Sequence, residues 1–598
     1  MAVQTEKWNI LIDQFDGWQT SRDSDDIGDS KSPDLLNTRL AGSHFRGALG
    51  YSLIGSRNET AGEISSKYTY RRNDGEEVML RVKDDGATGV LEWYDATNDT
   101  FYTLLAALTT GKVMGFAEYN TSDTNQMVCC NGVQNMAVWT GATTRLTIAL
   151  VGGETDITVE STANFPATGT IMYNGTEIAY SSKTDTTFVV VSAHASAGAS
   201  DGVAEAIDDS THSSITKGNI LLSAKDRLWI AGQPDAPNAL DYSDEGDAFQ
   251  FTGGANRSDS GTEDFFNIGG AITGLAEKGE EIIVLGEDGG DGFSFSYPTS
   301  TTKAPNFREI FRSSGQGCTS PRSVFKVNNE VYFANKNGIA ALDDLSGTEK
   351  VFNKSITRDI LPTLANYSFD EAVCIYHDKE SILLMGCKSS PDFPGNDTVI
   401  GVEFYRTKGG SSTFGITRFD WPVNTFSILG DRIYFGSSVE MNSFKGFETY
   451  QNDGAPRNIR YATKRFFFED PFQAKGCRLA AVKGYIKDGT DIDVEILYNA
   501  GFKGTGNKTI QSTGNYVSSS VLNTIGAFAL GVNPLGATLA EVSELKQFLV
   551  YLDLGVDYDW SDIQIVFSSE TDGGTFIITH VGFAVDQQGY ASIDALTI

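Results

Sequence analysis

The sequence predicts an all-β protein whose central part is a β-propeller. Glycine (63), phenylalanine (36) and tyrosine (23) are abundant in a chain of 598 residues with only 8 methionines, and this composition favours strands and turns. Short apolar runs that follow polar turns recur about every 50 residues. Sustained helical periodicity with capping residues is absent outside 540–548.

The propeller prediction rests on seven apolar runs that align with one another. A repeat of about 50 residues is typical of a meander of three or four antiparallel strands, such as the one in 217–251, which cannot bury both faces alone. We therefore expect about seven blades, with six or eight as variants and two packed β-sandwiches as the alternative architecture. The central residues of the runs are Leu80, Val128, Trp229, Ile283, Tyr332, Leu383 and Tyr434, and subtracting successive numbers gives separations of 48, 101, 54, 49, 51 and 51 residues.

The one long separation indicates an inserted domain. Residues 145–206 alternate apolar and polar side chains and carry hairpin signals such as Gly152-Gly153 and Asn174-Gly175. Removing these 62 residues leaves a separation of about 39, close to one repeat. We expect an N-terminal arm and first strand (1–55), propeller blades (56–144 and 207–452), the inserted small β-domain (145–206) and a C-terminal β-sandwich (453–598).

The charge balance argues against a protein that grips DNA or anionic membranes. The formal net charge is -32 and the pI is about 4.5, whereas phosphate binding needs clustered Lys and Arg. Acidity keeps a large β protein soluble, and adaptation to salt is a second source of such a composition.

The cysteines and the N-terminus indicate assembly in a reducing cytoplasm. Six cysteines (Cys129, Cys130, Cys318, Cys374, Cys387 and Cys477) lack metal-type spacing, so we expect buried free thiols. The first residues contain neither a basic nor an apolar signal region, and 18 apolar residues never run together. We therefore expect neither export through a signal peptide nor a membrane span.

Motifs for metal, nucleotide or nucleophilic chemistry fail on their details. Residues 23–28 with Asp34 resemble a calcium loop, but Ile27 occupies a ligand position and Asp34 replaces the bidentate Glu, so a solvated acidic turn is favoured. The stretch 501–509 has Asn507 where a phosphate loop needs Lys, and the five histidines lie in unlike sequence contexts. Two carboxylates at the separation that glycosidases use are expected in any β fold with 78 acidic residues, so such a pair is not evidence of an enzyme. The sequence thus predicts no catalytic, cofactor-binding or metal-binding residue and no enzyme.

The clearest basic cluster is Arg457, Arg460, Lys464 and Arg465, followed by three phenylalanines. It suits a strand with a buried aromatic face that also forms a subunit interface. Contact with a nucleic acid backbone is the alternative interpretation.

Several motifs resemble structural proteins of bacteriophage tails. Three N-terminal segments are similar to segments of those proteins: Asp16-Gly17-Trp18-Gln19-Thr20, Ser32-Pro33-Asp34-Leu35-Leu36-Asn37 and the turn at 47–50. The blade that begins Arg227-Leu228-Trp229-Ile230-Ala231-Gly232 is similar to a blade of those proteins. The inserted module, with Asp156-Ile157-Thr158-Val159 and Phe165-Pro166, looks like a small β-module of virion proteins. The resemblance covers about the first 250 residues by motif and the rest by architecture.

The resemblance implies a tail-tube nozzle or hub of the virion, assembled in the host cytoplasm. Such a protein would form a ring, usually a homohexamer, beneath the portal and adaptor, carry tail fibres and let DNA pass without specific binding. Nozzle proteins carry several inserted domains, whereas this chain shows one, so another tail position stays open. The alternative is a receptor- or glycan-binding tail protein, with depolymerase activity as a variant, in which exposed aromatic rings on blade loops stack on sugars of the host surface. The candidates are Trp18, Trp93, Trp139 and Trp421, although most tryptophans in such sequence are core anchors. A propeller scaffold unrelated to phages is the third interpretation.

Overall fold

The computed structural model describes most of the chain, and its strands confirm the all-β class. The described residues are 7–58, 60–120, 125–173, 175–191, 194–251, 261–264, 270–279, 281–296, 306–314, 317–327, 329–342, 353–406, 412–467, 473–498, 502–503, 508–512, 545–560 and 562–590. Within them, helical structure is limited to α1 (Leu361–Leu364) and two 3-10 turns (Pro321–Ser323 and Arg358–Ile360). In this part of the chain, no helix has the length and apolarity that crossing a membrane requires.

Seven short strands precede the repeats, and most of the chain then folds into consecutive antiparallel sheets. The N-terminal strands are β1 (Lys7–Ile12), β2 (Gly17–Trp18), β3 (Lys31–Ser32), β4 (Leu35–Leu36), β5 (Thr38–Leu40), β6 (Phe45–Gly47) and β7 (Tyr51–Ile54). Sheet 1 contains β8 (Glu63–Arg71), β9 (Glu77–Asp84), β10 (Gly89–Asp95) and β11 (Thr100–Leu108), and sheet 2 contains β12 (Gly115–Asn120), β13 (Asn125–Cys130) and β14 (Ala137–Trp139). The inserted domain contains β15 (Thr143–Arg145), β16 (Asp156–Thr158), β17 (Gly169–Tyr173), β18 (Thr176–Lys183), β19 (Thr187–Val190) and β20 (Gly202–Glu205).

The later sheets repeat the same up-and-down order. Sheet 3 contains β21 (Ile220–Ala224), β22 (Arg227–Ala231), β23 (Ala239–Tyr242) and β24 (Gly261–Asp264), and sheet 4 contains β25 (Ile272–Lys278), β26 (Glu281–Gly286), β27 (Gly289–Ser296) and β28 (Asn306–Ser314). Sheet 5 contains β29 (Phe325–Val327), β30 (Glu330–Asn335), β31 (Gly338–Leu342) and β32 (Asn353–Ser355), and sheet 6 contains β33 (Ser368–His377), β34 (Ile382–Lys388), β35 (Thr398–Arg406) and β36 (Ser412–Phe419). Sheet 7 contains β37 (Val423–Leu429), β38 (Arg432–Ser437), β39 (Ser443–Gly446) and, from the N-terminal segment, β7.

These sheets form the predicted propeller. The first strand of each sheet contacts the first strand of the next, and the first strand of sheet 7 contacts that of sheet 1. Apolar side chains fill the junctions, as Trp229 and Ile282 do between sheets 3 and 4 and Phe435 and Leu384 do between sheets 6 and 7. The seven central residues named from the sequence all lie on second strands of these sheets.

The N-terminal segment closes the ring. Strand β7 pairs with β39 in antiparallel register, with Tyr51 opposite Gly446 and Ile54 opposite Ser443. The Tyr51 ring packs edge-on against Trp421, Phe435 and Phe444, with centroids 5.0–6.0 Å apart. Because strand pairing joins the two ends of the repeat array, closure needs no covalent bond.

The inserted domain follows β14, the third strand of sheet 2. It precedes Asp208, which occupies the position of a fourth strand beside β14. Val138 on β14 pairs with Asp208, which follows the insertion. The inserted strands form one sheet in the order β15-β20-β17-β18-β19-β16. Side chains such as Ile157, Phe165 and Phe188 form its own core, so the insertion is a separate small β-domain, as predicted.

The C-terminal strands form two six-stranded sheets that also include N-terminal strands. They are β40 (Ile459–Ala462), β41 (Gln473–Lys487), β42 (Asp491–Tyr498), β43 (Phe502–Lys503), β44 (Lys508–Gln511), β45 (Leu545–Trp560), β46 (Ile563–Ser569) and β47 (Phe576–Tyr590). One sheet has the order β45-β41-β47-β6-β5 with β1 beside β47, and the other has the order β4-β40-β46-β42-β43 with β44 beside β42. Phe45 stacks on Tyr461 between them, with centroids 4.0 Å apart.

Two differences from the sequence analysis concern these C-terminal strands and the N-terminal arm. The predicted helical exception is wrong where it is described, since 545–548 begin strand β45, and 540–544 lie outside the described residues. Residues 7–54 belong to both the propeller and the sandwich, because short strands gain stability from whichever sheet edge they reach.

Candidate functional site

Arg322 spans one end of the propeller axis. It lies in the 3-10 turn that leads into the first strand of sheet 5. Its Nη1 donates to the carbonyl oxygens of Ser65 (3.2 Å) and Asn424 (2.9 Å) and to the Asn424 side chain (3.2 Å), and its Nη2 donates to the carbonyl oxygen of Glu371 (3.3 Å). These acceptors belong to the first strands of sheets 1, 7 and 6, so one guanidinium links four sheets where the innermost strands begin.

Glu63 lies beside Arg322 at the start of the first strand of sheet 1. Its carboxylate accepts a hydrogen bond of 2.7 Å from the side-chain amide of Asn424. Burial is the largest influence on the pKa of Glu63 and raises it; the Arg322 charge opposes this rise, and Asp84 and Glu371 add to it. Glu63 therefore keeps its proton to a higher pH than an ordinary glutamic acid does.

Glu371 and Asn396 complete this end of the axis. Glu371 is exposed and pairs with Lys388 at 3.2 Å, while its carbonyl oxygen accepts a hydrogen bond of 3.0 Å from the Asn396 amide. Asn396 is only 1% exposed, and its Oδ1 has no hydrogen-bond partner. We call the group Glu63, Ser65, Arg322, Glu371, Asn396 and Asn424 the axial mouth.

The axial mouth combines a carboxyl group of raised pKa with an exposed carboxylate. Such a pair can hold hydroxyl groups by hydrogen bonds, and it is also the equipment of general acid and base chemistry. Among the residues that the structure describes, no group of three or more His, Cys, Asp or Glu side chains is arranged to hold a metal ion.

The tryptophans proposed for sugar stacking are buried. Trp18, Trp93, Trp139 and Trp421 are 1–4% exposed. The Trp18 indole donates to the carbonyl oxygen of Pro33 (3.1 Å), and the Trp139 indole donates to that of Glu205 (2.9 Å). These rings are core anchors, so the prediction that they contact a glycan is wrong.

The calcium-like loop is a turn that packs on its own chain. Ile27, which stands at a ligand position, is 2% exposed. Asp34 bonds Arg460 at 2.6 Å and Arg418 at 3.3 Å, so its carboxylate is neutralised by arginines. The acidic-turn interpretation matches this arrangement.

Three of the four members of the basic cluster at 457–465 form ion pairs within the chain. Arg460 pairs with Asp34, Lys464 with Asp29 at 2.9 Å and Arg465 with Asp562 at 3.5 Å. Arg457 is buried and donates to the carbonyl oxygens of Tyr450 and Gly574, both at 2.8 Å, and burial lowers its pKa to about 10. These pairs leave little free charge for a nucleic acid backbone, while the subunit-interface role stays a prediction.

The remaining candidates from the sequence are the cysteines and the phosphate-loop segment 501–509. Cys129, Cys130, Cys318, Cys374 and Cys387 are free thiols, and burial raises the pKa of the Cys318 thiol to about 11. The side chain of Cys477 and most of 501–509 lie outside the described residues.

The residues of the axial mouth carry no motif, and sequence reasoning missed them. They are spread from Glu63 to Asn424 and come from four sheets. The one sequence signal that could have indicated these residues is their position. The charged members Glu63, Arg322 and Glu371 each lie next to the start of the first strand of a sheet.

Comparison with known proteins is sparse. No family model matches the chain, and no curated protein matches it. Two similar solved structures are those of an exo-β-1,3-galactanase from Phanerochaete chrysosporium, one with galactose and one of a variant with β-1,3-galactotriose. They are 8% and 9% identical, cover 90% of this chain and 100% of theirs, and have TM-scores of 0.19 and 0.20.

These neighbours are enzymes with glycan substrates. The prediction that this chain is not an enzyme is contradicted by this finding, and we withdraw it. A TM-score of about 0.2 assigns no reaction and no catalytic residue to this chain.

Proposed function

We propose that this chain is a structural protein of a bacteriophage tail, a ring-forming nozzle or hub that surrounds the path of DNA and carries fibres. The observation that supports it most is the location of the tail-protein motifs. Those at 16–20, 32–37 and 47–50 lie in the N-terminal segment that joins the propeller to the sandwich, where a platform under mechanical load needs its strongest connection.

The motif residues have a clear structural task. Asn37 donates from its amide to the carbonyl oxygen of Asn458 (2.8 Å) and accepts from the backbone N–H of Asp420 (3.2 Å). Asp34 binds Arg418 of sheet 6 and Arg460 of the sandwich. The motif thus fastens the sandwich to the outer strand of sheet 6.

The charge of the chain is compatible with a DNA conduit. DNA binds basic surfaces because binding releases counterions from its phosphates. A chain with a net charge of -32 disfavours such binding, so DNA would slide past it. Since Arg322 crosses the propeller axis, the lumen in this proposal is formed between subunits of the ring.

The test is cryo-electron microscopy of purified particles, with and without a peptide tag at Gly153. This glycine has a φ of +82° in a turn of the inserted domain, and a Cβ there would meet no atom within 4 Å, so a tag should be tolerated. We expect one additional density per subunit in a ring of the tail. Tagged particles without such a ring, or with the tag only at fibre tips, would exclude the hub role.

A further inference from the structure

We propose that His377 and the turn 378–381 form a pH-sensitive switch between the propeller and the sandwich, in which a second proton on the His377 ring releases Arg39. Such a switch goes beyond the tail role and is independent of it. Its parts are the hydrogen bonds of the ring, the turn that these bonds hold and a cleft that reaches the ring.

The His377 ring bridges two neighbouring sheets. It ends the first strand of sheet 6 and is only 3% exposed. Its Nδ1 lies 3.1 Å from the backbone nitrogen of Glu380 and accepts from that N–H, so Nδ1 carries no proton. The one ring proton is therefore on Nε2, which donates to the carbonyl oxygen of Asp431, 3.2 Å away in the turn between β37 and β38. Only the neutral ring in this tautomer makes both bonds.

The turn 378–381 connects this ring to the N-terminal segment. Glu380 accepts hydrogen bonds from Arg39 through its carboxylate (3.3 Å) and through its carbonyl oxygen (3.4 Å). Arg39 is buried on β5, which extends a sheet of the sandwich. Ser381 holds a φ of +48°, a left-handed conformation that side chains adopt rarely, so the turn depends on its hydrogen bonds. The bonds of His377 and those of Arg39 therefore meet at one residue, Glu380.

A cleft of about 470 Å³ gives solvent a path to the ring. His377 lines it together with Arg39, Glu380, Asp431 and Arg432. The side chains of Asp431 and Arg432 are 72% and 49% exposed, so the cleft opens to water on the side of sheet 7. A proton from solvent can thus reach Nδ1 once the Glu380 N–H moves away.

Charged groups of both signs surround the ring. They are Asp378, Lys379, Glu380 and Glu403 of sheet 6, Asp431, Arg432 and Glu448 of sheet 7, and Arg39 and Arg46 of β5 and β6. Burial is the largest influence on the pKa of His377 and lowers it; the Arg39 charge adds to this effect, while Glu380 and Asp431 oppose it. The folded ring therefore stays neutral to a lower pH than an ordinary histidine does.

A second proton on the ring breaks this arrangement. On Nδ1 it would point at the Glu380 N–H, so that hydrogen bond is lost, and the positive ring attracts the Glu380 carboxylate that holds Arg39. Arg39 then keeps only the ion pair of its Nε with Glu403 at 3.0 Å, and β5 loosens from sheet 6. In the opened turn the ring has an ordinary pKa of 6.5. Opening should therefore become more favourable as the pH falls below 6.5, by up to about tenfold per pH unit until the lowered pKa is reached.

The experiment is hydrogen exchange of the full chain between about pH 7.5 and about pH 5, corrected for the intrinsic pH dependence of amide exchange. The variant is His377→Gln, whose amide can accept from Glu380 and donate to Asp431 at every pH. Its control is His212→Gln, which changes a histidine stacked on Phe249 with centroids 4.2 Å apart, beside sheet 3. Nitrogen NMR of the histidine rings in the parent is a second measurement, which needs no variant and reports the tautomer.

We expect the parent and His212→Gln to lose protection in 378–381 and 38–40 as the pH falls, by up to about tenfold per pH unit. His377→Gln should keep its protection throughout, and the NMR spectrum at about pH 7.5 should place the His377 proton on Nε2. Protection that does not change with pH, a loss confined to 378–381, or a proton on Nδ1 would overturn the proposal.

His44 is a second buried histidine close to β5, and burial lowers its pKa to about 4. A loss of protection in 38–40 that persists in His377→Gln would assign the effect to His44 and would also overturn the proposal. Tail localisation is measured separately on particles, so either proposal can fail without the other.

Discussion

Lys67 is a buried lysine at the junction between sheets 7 and 1. It is 6% exposed, and its Nζ lies 3.3 Å from the Met79 sulfur and 5.7 and 5.8 Å from the ring centroids of Phe101 and Tyr434. Burial is the main cause that lowers the pKa of Lys67 well below its usual value, and the charge of Arg81 adds to it. Folding therefore shifts Lys67 toward its neutral amine relative to the unfolded chain.

Replacing Lys67 by Met should remove a pH dependence of stability. A base whose pKa is lowered by folding binds fewer protons in the folded state, so stability rises with pH up to its ordinary pKa, 10.5. Between the lowered pKa of Lys67 and 10.5, the free energy of unfolding of the parent should rise with pH relative to that of the Lys67→Met variant, by up to about 1.4 kcal/mol per pH unit. Melting temperatures at pH 8, 9 and 10 measure this gain.

The control for this series is Lys112→Met, an exposed lysine. Its melting temperature should follow that of the parent at every pH. A constant difference between the parent and Lys67→Met across the range would show that Lys67 is charged in the folded protein.

At the scale of elements, the inserted domain follows a strand of sheet 2 but is bonded to sheet 1. Arg145 Nε and Nη2 each lie 2.7 Å from an oxygen of Asp95, whose side chain is fully buried on sheet 1. Burial would raise the pKa of Asp95, but the hydrogen bonds from Arg145 and the Thr97 N–H lower it. A Cβ on Gly202 would come within 2.5 Å of the Tyr102 ring, which shows how closely the domain packs there.

We expect Arg145→Ala to loosen the inserted domain without unfolding the propeller. Breaking a buried ion pair by removing one partner costs about 3–5 kcal/mol, and the partial exposure of Arg145 (27%) reduces this cost. Hydrogen exchange should increase in 143–145 and 202–205 and stay unchanged in sheets 3 to 6.

The matched control is Arg22→Ala, which breaks an exposed pair with Asp26. Surface pairs contribute about 0–1 kcal/mol, so exchange in the inserted domain should equal that of the parent. Unchanged exchange in Arg145→Ala would mean that the domain is held by apolar packing alone.

At the scale of the whole molecule, residues 7–54 connect units that the rest of the chain keeps apart. β7 completes sheet 7, β1, β5 and β6 extend one sandwich sheet, and β4 extends the other. The N-terminal segment is therefore part of the scaffold, and its removal would expose the edges of three sheets at once.

Cutting the chain after β7 tests this connection. With a protease site in the loop 55–62, the cleaved N-terminal fragment should stay bound through its strand pairs and co-elute with the rest in size-exclusion chromatography. Adding Tyr51→Ala removes the ring contacts to Trp421, Phe435 and Phe444 and should release the fragment at a lower denaturant concentration. Spontaneous separation of the fragment without denaturant would contradict the proposed closure.

Most of the propeller could be predicted because its signals are local. Each blade needs only its own turns and apolar runs, and the second strands around Trp229 and Tyr434 lie where the repeat placed them. The inserted domain was equally visible, because it interrupts a regular spacing. The buried tryptophans show the limit of this reasoning, since a ring in a strand and a ring in a binding surface share the same local sequence.

The sequence by itself determined the repeat, the insertion and the all-β class, because alternation and turn residues act over a few neighbours. Only the tertiary structure decided that β7 pairs with β39, nearly 400 residues later, and that Glu63, Arg322, Glu371 and Asn424 meet at one end of the axis. The physical reason is that a short strand and a charged side chain take their partners from whatever ring closure brings near them. Those partners are set by the closed ring, to which all seven sheets contribute.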